Sequence, residues 1–353
     1  FIGDIPSGQA PITYFQAIEE SRERPVKDLP MNSPANSQTN SPSRVICFVN
    51  AAHFIDHYSM LIFAAAVIIM GPALGMAYSE LLPYATPGFI AFGAGSLITG
   101  WLGDRWSRRH MMVIFFVGIG LSMISVGFVQ TPLQLGAALL AIGIFASIYH
   151  PVGTAMIVSY AEKLGAQMGI NGVWGNLGVA SSALVTGIVG QYLGWRWAFF
   201  IPGIVTVLIG IAFAMTVVHE DRKGSKQAAA QVRVAKEDMW RVVLSLLIVV
   251  IAISTTFNAV TVALPKLFAE RLADLTKSPA LLGVIAACVY VFGALTQLTV
   301  GRLIDRYSLK MVCLPLSLLL APFLYLAASL SNAGLIVVAI GIVMGLFGQI
   351  TVN

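Results

Sequence analysis

Ten stretches of this chain each run close to the ~20 apolar residues that a helix needs to cross a bilayer. They lie at about 45–69, 82–103, 111–130, 133–160, 169–192, 197–218, 240–265, 280–304, 311–330 and 333–353. That spacing excludes a soluble globule, because a chain of 353 residues that is 57% apolar and 10% charged has too little polar surface to coat itself. An all-α, multi-pass membrane protein is expected. The net charge of +5 then says little about a nucleic-acid partner, and none is expected; where the charges sit matters more. Cys47, Cys288 and Cys313 fall inside apolar segments with no CxxC spacing, which argues against a disulfide framework or a thiolate metal site.

The basic residues give the expected orientation. With the first helix starting inside, fourteen Lys and Arg fall on the inner side, from Arg44 to Lys310. Only Arg196, Lys266, Arg271 and Lys277 fall outside. The expectation is a cytoplasmic N-terminus in the cell's inner (cytoplasmic) membrane. Residues 1–43 read as a disordered polar leader. Within it Met31 opens MNSPANSQTNSPSR, and the expectation is that the native chain starts there, with residues 1–30 not native. The charged stretch 219–239 separates residues 44–218, with six segments, from 240–353, with four.

The two parts repeat. GWLGDRWSRR at Gly100 to Arg109 returns as GRLIDRYSLK at Gly301 to Lys310, an offset of 201, and AIGI at Ala141 to Ile144 returns at Ala339 to Ile342, an offset of 198. A second part as long as the first would continue past Asn353, so two further C-terminal helices are expected beyond a tenth that Asn353 interrupts.

Two six-helix halves, a basic central loop and a GxLxDR turn after the second helix of each half resemble the major facilitator superfamily of secondary transporters, over residues 44–353. The turn, roughly G-x-L-a-D-r-x-G-r-k in that family, is carried by Gly100, Leu102, Asp104, Arg105, Arg108 and Arg109, with Ser107 at the second Gly, and again by Asp305 and Arg306. The resemblance implies that these residues pair with neighbouring helix ends and hold the cytoplasmic gate, in a fold of two six-helix halves here truncated to about ten helices. GWRWAFF at Gly194 to Phe200 is similar to the family too, and reads equally as an interfacial aromatic belt. AAHFIDH in the first segment and YHPVGTAM in the fourth resemble the fosmidomycin-resistance-type efflux proteins. Two departures set the chain apart from ordinary drug/proton antiporters: LLAIGI at Leu139 to Ile144 contains no Arg, and GNLGVASSAL at Gly175 to Leu184 contains no Pro.

The ionisable groups left in the apolar segments are His53, Asp56, His57 and His150. A carboxylate at mid-bilayer costs several kcal/mol unless it is paired, wetted or protonated, so it marks function. At about 100° per residue, His53, Asp56 and His57 share one helix face. The resemblance implies that helices one, four, seven and ten line a central cavity, which brings His150 to the same level. Asp56 is expected to carry the proton, with His53 or His57 as its partner and His150 as substrate contact or second carrier. Pro151 is expected to free a carbonyl for ligand or water. The His-x-x-x-His spacing also suits a zinc-like ion; the expectation is proton chemistry, with no metal and no cofactor. Asn258, Gln349, Trp174 and Tyr58 are candidate substrate contacts. No GxxxxGK[ST] loop, nucleophile elbow or paired carboxylates point to an enzyme.

The resulting expectation is a monomeric, proton-coupled secondary transporter of small organic solutes, most simply an efflux antiporter. Proton-coupled uptake of an organic acid or metal ion, or a non-transporting membrane sensor, are the alternatives.

Overall fold

A computed structural model describes residues 40–218, 236–304, 306–331 and 333–352. The expected leader (1–39), most of the expected linker (219–235), Asp305 and Asn353 lie outside the described residues. Those described are helical, with no strand among them. The helices are α1 (Pro42–Leu74), α2 (Thr86–Arg105), α3 (Arg108–Phe128), α4a (Pro132–Ala146), α4b (Tyr149–Tyr160), α5 (Leu164–Leu193), α6 (Trp195–Thr216), α7 (Lys236–Arg271), α8 (Pro279–Ile304), α9 (Leu309–Ser329) and α10 (Gly334–Val352). A four-residue helix, Tyr78–Leu81, and a 3-10 turn, Leu82–Ala85, lead into α2. Among the described residues nine helices are long and apolar enough to span a membrane, and Gly334–Gln349 adds a shorter apolar one. The chain is a multi-pass membrane protein.

Local chemistry sets the ends. Pro42 opens α1, where a missing N–H costs nothing, and Gly75 closes it at φ 66°, with Met76 N–H returning to the Gly71 carbonyl at 3.0 Å. Thr131 and Gln134 form a reciprocal cap on α4a. Ser107, the residue that replaces the family's second Gly, caps α3 by accepting from His110 N–H at 3.3 Å. Gly194, at φ 91°, makes the sharp α5–α6 turn. That turn resolves the aromatic stretch behind it: Trp195 is buried in the core, whereas Trp197 is 49% exposed, as an interfacial residue would be.

The fourth segment departs from a single helix. Pro151 has no N–H to give the Ser147 carbonyl four residues back, and the helix breaks at Ser147–Ile148. The expected free carbonyl does not wait for a ligand: it accepts the Thr99 hydroxyl of α2 at 2.7 Å.

Buried side chains form two clusters. One joins α1, α3, α4a, α4b and α6 around Phe115, Phe116, Tyr149, Phe199 and Phe213. The other joins α7, α8 and α10 around Phe257, Phe268, Tyr290 and Phe347, and takes in Leu61 and Ala65 of α1 and Val179 and Ala183 of α5. Helix α1 therefore serves both, and α5, a member of the second, touches the first through Val185. Because lipid offers no hydrophobic contrast, such helices hold by close packing and interhelical hydrogen bonds. Asn176 of α5 donates to Gln297 Oε1 of α8, and Gln191 Oε1 accepts both Ser278 Oγ (2.7 Å) and Ala280 N–H (3.0 Å) at the start of α8.

Candidate functional site

The break in α4 leaves His150 on the first turn of α4b, facing α1. Three imidazoles meet there. Their ring centroids are 4.9 Å apart for His53–His57, 5.6 Å for His53–His150 and 5.7 Å for His57–His150. His53 and His57, one turn apart on α1, bring their Nε2 atoms to 3.1 Å. Asp56 of the same helix is fully buried, and His150 Nε2 lies 3.4 Å from its Oδ2. Neither Asp56 oxygen has a hydrogen bond among the described residues.

The four ionisable groups are thus brought to one place, with the pairing changed from expectation. His53 and His57 pair with each other, and Asp56 pairs with His150. The reason is rotational: about 300° separates residues 53 and 56 along a helix, so Asp56 leans off the His53–His57 edge toward α4b. The His150 side chain is 45% exposed and Asp56 0%, so the pair has one accessible member and one enclosed one.

A polar chain behind His53 fixes its ring. Its Nδ1 is 2.7 Å from the Asn171 carbonyl of α5, which can only accept, so Nδ1 carries the proton and the neutral ring's Nε2 is bare. The Asn171 side chain donates to Asn50 Oδ1 and accepts from the Tyr149 hydroxyl, each at 2.9 Å. The Tyr149 ring also stacks on His53, with centroids 4.8 Å apart and planes at 22°. On the opposite side α5 presents Gly175, where a Cβ would come within 2.6 Å of His53 Nε2. Asn50, Tyr149 and Gln297 were not singled out from the sequence, since neutral polar residues cost less to bury than charged ones and stand out less among apolar neighbours. Asn50, His53 and His57 do fall at i, i+3, i+7, and that signal was readable.

The candidate substrate contacts do not gather. Gln349 of α10 is buried and donates to Ser317 Oγ of α9 at 3.0 Å. Tyr58 is buried and stacks on Phe54, centroids 6.0 Å apart. Both side chains are packed inside the protein. Trp174 of α5 is 37% exposed. Asn258 lines a cleft of about 510 Å³ between the approach to α2 and α7, with Tyr78, Phe89, Lys266 and Glu270 among its other walls. From α7 the group that reaches the imidazoles is Phe257, edge-on to His57 at 6.2 Å.

At the basic end the turn residues act as staples. Arg108 bridges Asp104 Oδ1 (3.1 Å) and Ser159 Oγ (3.0 Å), tying α2 and α3 to the last turn of α4b. Arg109 donates to the Ala214 carbonyl at 2.6 Å and to the Val217 carbonyl, and Arg44 to the Thr216 carbonyl at 3.4 Å. Both satisfy the open C-terminus of α6, where the helix dipole favours a cation. Arg105 lies over the Trp101 ring at 5.4 Å. Gly100 lets Pro151 approach, a Cβ there meeting the Pro151 Cβ at 3.2 Å. In the second copy Arg306 is exposed.

A family model described as the Major Facilitator Superfamily matches residues 49–353. The chain is 29% identical over 138 residues to the puromycin resistance protein pur8 of Streptomyces alboniger, a match covering 38% of this chain and 27% of that protein. It is 24% identical over 222 residues to the multidrug resistance protein MdtG of Escherichia fergusonii, covering 62% and 54%. The chain thus spans about a quarter to a half of these relatives' lengths. The fold is similar to the inward-facing, occupied crystal structure of a bacterial homolog of the human lysosomal transporter Spinster, with TM-score 0.65 and 14% identity over 89% of this chain and 75% of that one.

Proposed function

Because this chain belongs to the Major Facilitator Superfamily, we propose that it is part of a proton-coupled secondary transporter that exports small organic solutes by alternating access. The supporting observation is the Asp56–His150 pair, a fully buried carboxylate 3.4 Å from a half-exposed imidazole at a helix break. An ionised carboxylate in that setting needs a cationic neighbour, and a neutral one does not. With His150 protonated and Asp56 ionised the two form an ion pair; a second proton, taken up at Asp56 Oδ2, removes the need for the pairing and loosens α1 from α4b. Loss of that second proton from Asp56 restores the ion pair. Each protonation state favours a different packing of residues 44–218 against 240–353, and the solute reaches a different side in each.

Export is the favoured direction because the names of the relatives pur8 and MdtG describe resistance. The His and Asp of α1 and the His-Pro of α4b carry the likeness to fosmidomycin-resistance-type proteins. The turn at Gly100 to Arg109 serves as the gate on the cytoplasmic side of the inner membrane, where the N-terminus also lies. The carrier works as a monomer.

The test is the full-length protein in vesicles under an imposed pH gradient, with puromycin and fosmidomycin among a panel of small toxic solutes. Gradient-driven solute flux in wild type that disappears in Asp56→Asn is the expected result. Flux indifferent to both the gradient and the substitution removes the coupling reading.

A further inference from the structure

We infer that His53, His57 and His150 form a binding site for one borderline divalent transition-metal ion of the zinc class, with Asp56 as its outer-sphere carboxylate. One ligand nitrogen from each ring lies within 4.8 Å of the other two, and the ring centroids form a nearly equilateral triangle of 4.9, 5.6 and 5.7 Å. Two imidazole nitrogens sharing a tetrahedral ion at ~2.0–2.1 Å stand about 3.3 Å apart. The His53 and His57 Nε2 atoms are already 3.1 Å apart, so one proton between them occupies the place of the ion. The Asn171 carbonyl holds the His53 tautomer with Nε2 bare, as a ligand requires.

The surroundings fit as well. Metal-bound imidazoles commonly direct their other nitrogen at a carboxylate, which raises their basicity and fixes their orientation. His150 turns its Nε2 toward Asp56, which leaves Nδ1 as its ligand to the ion, and the carboxylate's negative charge partly offsets the ion's two positive ones inside the membrane. The exposed side of His150 leaves a fourth position for water or solute. Three imidazoles without thiolate favour zinc, nickel, cobalt or copper over calcium or magnesium. Three of the chain's five histidines meet at this point. The inference stands apart from the proton reading, since the rings hold an ion whether or not Asp56 couples flux.

The experiment is equilibrium dialysis of Zn²⁺, with Co²⁺ as an optical probe, against the full-length protein in lipid nanodiscs after removal of any affinity tag. One ion per chain is expected, with Co²⁺ giving four-coordinate ligand-field bands that Zn²⁺ abolishes. His53→Gln and His57→Gln should abolish binding, Asp56→Asn should weaken it about 10–100-fold, and His110→Gln on α3 should leave it unchanged. Should a variant fail to fold, zinc-edge X-ray absorption on wild type counts the ligands directly, with three imidazoles expected. Absence of stoichiometric binding, binding that survives His53→Gln with His57→Gln, or a zinc shell with fewer than two imidazoles overturns the site.

Discussion

Helices α1 and α4 and their repeats α7 and α10 answer the same folding problem with different polar chemistry. At the turn's offset of 201, His53, Asp56 and His57 of α1 correspond to Ser254, Phe257 and Asn258 of α7; at the offset of 198, His150 and Pro151 correspond to Gly348 and Gln349 of α10. In α7 the polar side chains fold back onto their own helix: Thr256 to the Ala252 carbonyl (2.9 Å), Asn258 to Ser254 (2.8 Å) and Thr261 to Phe257 (2.8 Å). In α1 Asn50 and His53 reach out to α5 and Asp56 to α4b, although His57 pairs with His53 and Ser59 bonds the Asp56 carbonyl within the helix. Gln349 keeps the N–H that Pro151 lacks, and α10 runs unbroken where α4 splits. Self-satisfied polar groups demand nothing of their neighbours. Groups satisfied across helices make the state of one helix depend on another, which is what the proposed proton coupling requires.

The comparison breaks first, and most visibly, at Asp56. Asp56→Asn keeps the shape and removes the ionisable group, so gradient-driven flux should vanish while the folded protein stays monodisperse on size exclusion; flux persisting near wild type would place the coupling elsewhere. Next comes Gly175→Ala. Its Cβ would meet His53 Nε2 at 2.6 Å, and overpacking of this kind costs about 1–3 kcal/mol, measurable as a lowered Tm in detergent, whereas Gly169→Ala, with nothing within 4 Å of the new Cβ, should not lower it.

A third substitution, Asn171→Ala, strips partners from Asn50 and the Tyr149 hydroxyl. The expected loss is about 1–2 kcal/mol, since interhelical bonds in membranes are individually modest but buried orphans add to the cost. Its counterpart in the contrast is Asn258→Ala, which removes only a bond to its own helix. That change should stay within about 0.5 kcal/mol. Equal costs for the two asparagines, read by chemical denaturation in the same detergent, would erase the distinction between self-satisfied and cross-helix polarity.

The sequence made the architecture readable because each of the ten apolar runs signals a span without reference to any other. The four ionisable groups were readable too, since burial of charge in lipid is rare enough to stand out. Their pairing was not. Helical geometry fixes the angle between His53 and Asp56 on one cylinder, but which helix stands opposite each depends on packing that no single segment encodes. Asp56 therefore finds His150 on α4b rather than a histidine on its own helix. The same gap hid the Asn50–Asn171–Tyr149 chain and the bond from Gln349 to Ser317. Pro151 reads as a breaker, but Thr99, which takes the released Ser147 carbonyl, sits 48 residues from Ser147 in the chain.

Infrared difference spectroscopy of the reconstituted full-length protein, recorded across a pH step, addresses the central claim without knowledge of the solute. If Asp56 takes up and releases the coupling proton, a protonated-carboxyl C=O band appears on acidification in wild type, shifts in His150→Gln and is missing in Asp56→Asn. A band of undiminished intensity in Asp56→Asn, or no such band in wild type at any pH, would contradict it.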